Sequence, residues 1–227
     1  MRGPKSIIFG LLFLFAARAQ APRNQVPEGM TRIVVRLMGP GIRPGSFAAL
    51  PRTIYRAGSR YARVEDPPDA RQRIEKLMII AEPDAYSLNV LDKTGTHAID
   101  HGGPDDIHLP IVLPFDPKHQ LGHLDRLEFG EEIDFFKSAG ARKEAGPVVN
   151  GKPTERYVLE TPEGPATLVA KPGPETPVFI SWSSGREAYK YEYISYQDLP
   201  FDSAMFAKPG GFRLREIQAD TGDEEHI

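Results

Sequence analysis

The sequence predicts a mainly β protein, an antiparallel curved sheet or incomplete barrel with one or two helices packed on the concave side. Short strand-like segments follow one another between residues 53 and 100, and each is bounded by Gly, Pro or Asp. A second series follows residue 142, where Asn150-Gly151 is a strong hairpin signal. Helical periodicity is found in one stretch only, so a parallel sheet with helical crossovers is not favoured.

The first residues have the pattern of an export signal. Arg2 and Lys5 precede an apolar run over residues 6–17, and Ala17-Arg18-Ala19 is typical of a cleavage site. The run is shorter than the roughly 20 apolar residues that span a membrane. The sequence therefore predicts a signal peptide over residues 1–19, no transmembrane anchor, and a periplasmic or secreted protein after cleavage.

The chain beyond the signal is predicted to form a single domain. Residues 20–30 are polar and contain two prolines, which is typical of a disordered leader. Residues 31–217 form the β-rich half-barrel domain, and residues 218–227 form a disordered acidic tail. The chain contains no cysteine, so this domain has to be held together by an ordinary hydrophobic core.

The first half of the domain is predicted to consist of six strands. Apolar residues alternate or run together between turn residues, and Gly58-Ser59 suits a tight hairpin. No helical segment separates the strands, so neighbours are expected to pair antiparallel. The predicted strands are Thr31–Met38, Thr53–Ala57, Arg60–Glu65, Arg73–Ala81, Tyr86–Leu91 and Thr96–Asp100.

The second half begins with the one helix candidate, Leu124–Phe136, whose apolar residues lie near one stripe. Gly130 costs a helix about 1 kcal/mol relative to Ala, so the segment is expected as one helix or as two short pieces. The adjacent acids Glu131 and Glu132 are expected on a solvated helix face. The later predicted strands are Arg142–Val149, Thr154–Glu160, Ala166–Lys171, Val178–Ser183 and Arg186–Tyr196.

Composition and missing motifs restrict the function. The net charge of −3 argues against nucleic acid as a partner, because phosphate binding needs a basic face. The absence of cysteine excludes thiol catalysis, zinc–cysteine sites and iron–sulfur clusters. The sequence contains neither a G-x-S-x-G elbow nor a Gly-rich phosphate loop, so we predict no cofactor and no catalytic residues.

The aromatic residues of the last predicted strands are the most suggestive feature. Tyr189, Tyr191 and Tyr193 alternate with Lys190 and Glu192, which places three rings on one face of a strand. Such a face packs either in a core or against a hydrophobic ligand in a cavity, and both interpretations remain open. The candidate cavity residues are Phe179, Trp182, Tyr189, Tyr191 and Tyr193.

A histidine-rich stretch supports an alternative interpretation. His97, His101 and His108 lie at the end of a predicted strand and in the loop after it, together with several Asp residues. Imidazole and carboxylate ligands suit zinc or another divalent ion, so these residues could serve a metal-dependent periplasmic hydrolase. Their spacing matches no established signature, and a solvated loop is the favoured explanation.

Several features together resemble the superfamily of periplasmic outer-membrane lipoprotein carriers and receptors, over residues Thr53 to Leu214. They are the export signal, the antiparallel meander, the Asn150-Gly151-Lys152 turn before Tyr157, and the closing pattern from Leu199 through Phe206 to Pro209. The resemblance implies an incomplete antiparallel barrel closed by helices, with a cavity for acyl chains. Residues 20–30 depart from it, because the carriers begin with an amphipathic helix.

The predicted function is non-catalytic. The aromatic face and the resemblance favour an exported protein that binds a lipid or an acylated partner protein in a half-barrel cavity. The metal-dependent hydrolase is one alternative. A cell-envelope module whose sheet edge recruits a partner protein is another.

Overall fold

The structure is a computed structural model that describes residues 26–101, 106–111, 124–162, 164–184 and 187–218. These residues form twelve strands and a single α-helix, α1, over Glu132–Ser138. The strands are β1 (Gly29–Met38), β2 (Arg52–Ala57), β3 (Tyr61–Glu65), β4 (Lys76–Ala81), β5 (Asp84–Asn89), β6 (Thr94–Ile99), β7 (Arg142–Ala145), β8 (Glu155–Leu159), β9 (Ala166–Lys171), β10 (Thr176–Ser184), β11 (Glu187–Pro200) and β12 (Arg213–Gln218).

All twelve strands belong to one sheet with the order β12-β6-β5-β4-β3-β2-β1-β11-β10-β9-β8-β7. The two edge strands, β12 and β7, do not meet, so the sheet is not closed into a barrel. Every neighbouring pair is antiparallel except β12 and β6, which run parallel. The mainly β, curved-sheet architecture with a helix is therefore confirmed, and the parallel edge pair is an addition to it.

The two sides of the sheet carry separate hydrophobic clusters. The helix-facing side packs against α1 and against the segments 107–111 and 124–129. The most buried residues of this cluster include Ile33 and Ile180 of the sheet and Phe136 of α1. The opposite side is covered at the β2–β6 end by a 3-10 turn at Ser203–Phe206. Alternation along each strand explains the division, because successive side chains point to opposite sides.

The helix prediction was wrong in its bounds. Gly130 has a φ of +91°, a conformation that other residues rarely adopt, and it separates α1 from the residues before it. The Phe129 amide donates to the Leu109 carbonyl, and the Ile111 amide donates to the Leu127 carbonyl. Residues 124–129 therefore pair with residues 107–111 and form an irregular cover beside α1.

Several strand ends differ from the prediction. β1 begins at Gly29 and pairs over its full length with β11, so two residues expected in the leader are part of the sheet. β12 is absent from the predicted strands. Residues 1–25 and 219–227 lie outside the described ranges, and with them the predicted signal peptide and nearly all of the predicted tail. Within the described ranges, no helix combines the length and the apolar character needed to cross a membrane.

Candidate functional site

The helix-facing side carries a layer of stacked aromatic rings on β10 and β11. Trp182 lies opposite Tyr189 in the β10–β11 ladder. Its ring centroid is 6.0 Å from that of Tyr189 and 5.6 Å from that of Tyr191, with interplanar angles of 25° and 27°. Phe129 of the cover meets Tyr191 edge to face at 5.5 Å. We call Trp182, Tyr189 and Tyr191 the aromatic layer.

The aromatic layer contains an unsatisfied polar group. Trp182 is 5% exposed, and among the described residues its indole Nε1–H has no hydrogen-bond acceptor. A buried donor without a partner costs about 1–3 kcal/mol. Such groups are few in native proteins, and each calls for an explanation such as a bound water or ligand.

Phe179 is separated from the other four predicted cavity residues. It lies opposite Glu192 in the ladder, whereas Trp182 lies opposite Tyr189, so Phe179 faces the opposite side of the sheet. The Lys190 ammonium group sits 4.9 Å from the centre of its ring. The structure thus brings Trp182, Tyr189, Tyr191 and Tyr193 to one side and leaves Phe179 on the other.

Tyr193, on the helix-facing side of the sheet, contacts a buried carboxyl group on α1. The Tyr193 hydroxyl donates a hydrogen bond of 2.7 Å to Glu132 Oε1. Glu132 is 1% exposed, and its Oε2 has no hydrogen-bond partner within the described part of the chain. Burial raises the pKa of Glu132 to about 7, against the opposing effects of the Gly130 backbone amide and the Tyr193 hydroxyl.

The placement of Glu132 in the core contradicts the expected solvated face. Its neighbour Glu131 is exposed, as predicted. The sequence does contain a signal for the difference, because Glu132 precedes the fully buried Phe136 by four residues and therefore shares its helix face. Once the helix begins at Glu132, its buried stripe includes this carboxyl.

A buried ion pair holds the cover against the sheet. Arg56 on β2 donates to Glu128 Oε2 at 2.7 Å and to the Phe129 carbonyl at 2.9 Å. Both ionic side chains are about one-tenth exposed. His108 Nδ1 lies 2.5 Å from Glu128 Oε1 and completes the group. The cover is thus fixed by side-chain contacts as well as by its apolar residues.

The three predicted metal ligands do not converge. His97 lies on the opposite side of the sheet, where Nε2 is 2.6 Å from Asp84 and Nδ1 is 2.9 Å from Glu216. The hydrogen bond to Glu216 raises the pKa of His97. His101 is exposed just after β6, and His108 belongs to the cover. No group of three potential ligands in the described ranges could hold a metal ion.

Comparison with known proteins gives structural similarity only. No family model matches the sequence, and no curated protein matches it. An uncharacterized conserved protein from Thermus thermophilus is similar at 9% identity and a TM-score of 0.49, covering 84% of this chain and 91% of its own. A LolA superfamily protein from Nitrosomonas europaea shows 11% identity and a TM-score of 0.31, with coverages of 81% and 92%. A putative outer membrane lipoprotein-sorting protein domain from Vibrio parahaemolyticus shows 6% identity and a TM-score of 0.28, with coverages of 75% and 85%.

Proposed function

We propose that this protein is an exported, non-catalytic binder of a hydrophobic ligand, either a lipid or the acyl chain of a modified partner protein. The ligand binds on the helix-facing side of the sheet against Trp182, Tyr189 and Tyr191. The observation that carries this proposal is the unpaired indole N–H of Trp182 within a stacked aromatic layer. An acyl chain supplies apolar surface to the rings, and its carbonyl oxygen accepts the indole hydrogen.

The cover provides a route for entry. It consists of the two irregular segments 107–111 and 124–129, and it lies beside the seven-residue helix α1. Short elements of this kind open locally at a lower free energy than the ladder beneath them. Lifting the cover exposes the aromatic layer together with Phe136 and Ile180, while the twelve-stranded sheet stays paired. Ligand binding in this way requires no change of fold.

The first test uses Trp182, the only tryptophan of the chain. Its fluorescence should change saturably on titration with fatty acids and lipopeptides, because the ligand contacts the ring. Tyr191→Leu should weaken binding, and Phe179→Leu, on the opposite side of the sheet, serves as the matched control with unchanged affinity. If no ligand in the series produces a saturable change, this function is rejected.

The role of the indole N–H can be tested separately by calorimetry. Trp182→Phe retains an aromatic ring and removes the donor. A net hydrogen bond of about 1 kcal/mol corresponds to an affinity loss of about fivefold. An unchanged affinity would contradict the assigned hydrogen bond, even where the hydrophobic binding itself persists.

Export is proposed from the first nineteen residues. Expression of the full chain with its N-terminus in a Gram-negative host, followed by mass analysis of the periplasmic fraction, should give a product that starts at Gln20. Replacing Leu11 and Leu12 in the apolar run by Asp should retain the full-length chain in the cytoplasm. A cytoplasmic product of unaltered length from the original sequence would overturn this part of the proposal.

A further inference from the structure

A cavity lies where β10 and β11 separate. Their ladder ends at the Phe179–Glu192 pair, although β10 continues to Thr176 and β11 continues to Pro200. Beyond that pair β10 bonds only to β9, and β11 bonds only to β1. Beyond the Phe179–Glu192 pair, the backbone N–H and C=O groups of β10 and β11 that face each other across the gap therefore form no ladder pairs with each other.

Two β-bulges produce the separation. Val178 is an extra residue between Pro177 and Phe179 in the pairing of β10 with β9. Ile194 is an extra residue between Tyr193 and Ser195 in the pairing of β11 with β1. Bulges bend a strand and re-aim its side chains, and they are frequent next to binding sites. Here the two bulges lie side by side and both line the same cavity.

The cavity has a volume of about 280 Å³. Its walls include the apolar residues Val149, Pro177, Val178 and Ile194, and Ile194 is 51% exposed. A volume of this size holds roughly nine water-sized groups, which is at the lower end of ligand cavities. The space suits a short apolar chain and excludes a two-chain lipid.

The charge of the lining residues is positive. Lys152 and Lys171 line the cavity, and none of the lining residues is acidic, although the chain as a whole has a net charge of −3. Neither ammonium group has an ion-pair partner among the described residues, whereas Lys137 and Lys143 are both paired with Glu175. Two unpaired cations beside an apolar cavity are complementary to an anion that carries an apolar chain.

We propose that this cavity is a binding site for a small single-chain anionic amphiphile. Its apolar chain fills the gap between the bulges, and its carboxylate or phosphate group lies between Lys152 and Lys171. The site goes beyond the function proposed above, because it lies at the bulges rather than at the aromatic layer. Tyr193 is the one residue that lines the cavity and also belongs to the predicted aromatic set.

Nuclear magnetic resonance can test the site with defined probes. Octanoate and octyl phosphate are titrated into the isotope-labelled protein, and octanol serves as the uncharged control of equal chain length. We expect saturable amide shifts in residues 149–154, 176–178 and 193–196 with at least one of the two anions, at a tenfold lower concentration than with octanol. Equal affinity for octanol would overturn the proposal, and so would the absence of saturable shifts at these residues.

Charge reversal adds a control for general electrostatics. The double variant Lys152→Glu/Lys171→Glu should weaken binding of the anion at least tenfold. Lys76→Glu/Lys208→Glu changes the net charge equally at exposed positions outside the cavity and should leave the affinity unchanged. Equal losses in the two variants would contradict a local site. Trp182 fluorescence with long-chain ligands is recorded in parallel, so either proposal can fail while the other stands.

Discussion

Glu132 is a carboxylic acid buried in the core at the start of α1. Its carboxyl group is buried among apolar residues and accepts a hydrogen bond from the Tyr193 hydroxyl. The folded protein therefore favours the protonated acid, whose pKa is about 7 instead of 4.5. A protonated Glu132 needs no counter-charge, which explains how a carboxyl group fits beside Phe136 without an ion pair of its own.

This pKa predicts how stability depends on pH. Between pH 4.5 and 7 the unfolded chain releases the Glu132 proton and the folded chain retains it, so the free energy of unfolding should fall as the pH rises through this range. A shift of this size corresponds to a loss of about 3 kcal/mol, complete above pH 7. Urea unfolding at several pH values measures the effect.

Two variants make this measurement specific. Glu132→Gln cannot ionise, so its stability should lack this loss and should exceed that of the original protein at pH 8. Glu131→Gln changes the adjacent exposed acid and should retain the original pH profile. A Glu132→Gln profile that follows the original one between pH 4.5 and 7 would show that the acid is already ionised in the folded protein.

The buried Arg56–Glu128 pair predicts that single and double substitutions have non-additive effects on the free energy of unfolding. Arg56→Met leaves Glu128 buried without its cation, and loss of one partner of a buried pair costs about 3–5 kcal/mol. The double variant Arg56→Met/Glu128→Gln removes both charges and should recover much of that loss. Thermal or urea unfolding of the three proteins checks the expectation, and strictly additive effects of the two substitutions would contradict it.

The aromatic residues show what alternation in a sequence can and cannot predict. The spacing of Tyr189, Tyr191 and Tyr193 correctly placed three rings on one side of a strand. Phe179 is predicted in the same set, but its odd spacing from Trp182 on the same strand places it on the other side of the sheet. The neighbour of each ring across the ladder depends on strand register, which the sequence of one strand does not contain.

Among the described strands, β12 is the one that the sequence did not predict. It is short and charged and has few of the apolar residues that identify a strand. Its pairing with β6 depends on residues far away in the chain, including the contact of Glu216 with His97. Local propensity therefore gave most of the strands, and it could not give an edge strand that is held by tertiary contacts.

His97 makes the attachment of β12 sensitive to pH. Its folded pKa is raised above 6.5, so its contribution to stability is fully present below pH 6.5 and is lost as the pH rises through the folded value. Amide hydrogen exchange, corrected for the intrinsic rate, should show lower protection of residues 213–218 at pH 9 than at pH 6. Protection of β3 should change much less.

The histidines themselves provide the controls for that experiment. His97→Gln should lower the protection of β12 at pH 6 and remove most of its pH dependence. His101→Gln alters an exposed histidine near the same edge and should behave like the original protein. If β12 in His97→Gln retains the pH dependence of the original protein, groups other than His97 control its attachment.

The complete sheet shows the limit of reasoning from local sequence. Hairpins such as β2–β3 and β4–β5 join strands that are adjacent in the chain, and the turn residues between the strands predict these pairings. The pairing of β1 with β11 joins the two halves of the sheet and has no local signal. Apart from β12, the order of strands was therefore predictable within each half, and the junction between the halves became visible only in the structure.

The β1–β11 junction should form late in folding. Thr31 and Asp198, which pair across it, are 167 residues apart, and closing such a long loop costs more entropy than closing a hairpin. In refolding followed by pulsed hydrogen exchange, amides of β4 and β5 should become protected before those of β11. Earlier protection of β11 along its contact with β1 would reverse this order.

The same junction has a consequence for the newly made chain. β2 follows β1 closely in the chain, whereas β11, which pairs with the other edge of β1, is complete only once residue 200 has been synthesised. An open edge of this length is a template for pairing with other chains. A chain that stays unfolded until synthesis is complete avoids this hazard, and such a delay is compatible with the export proposed above.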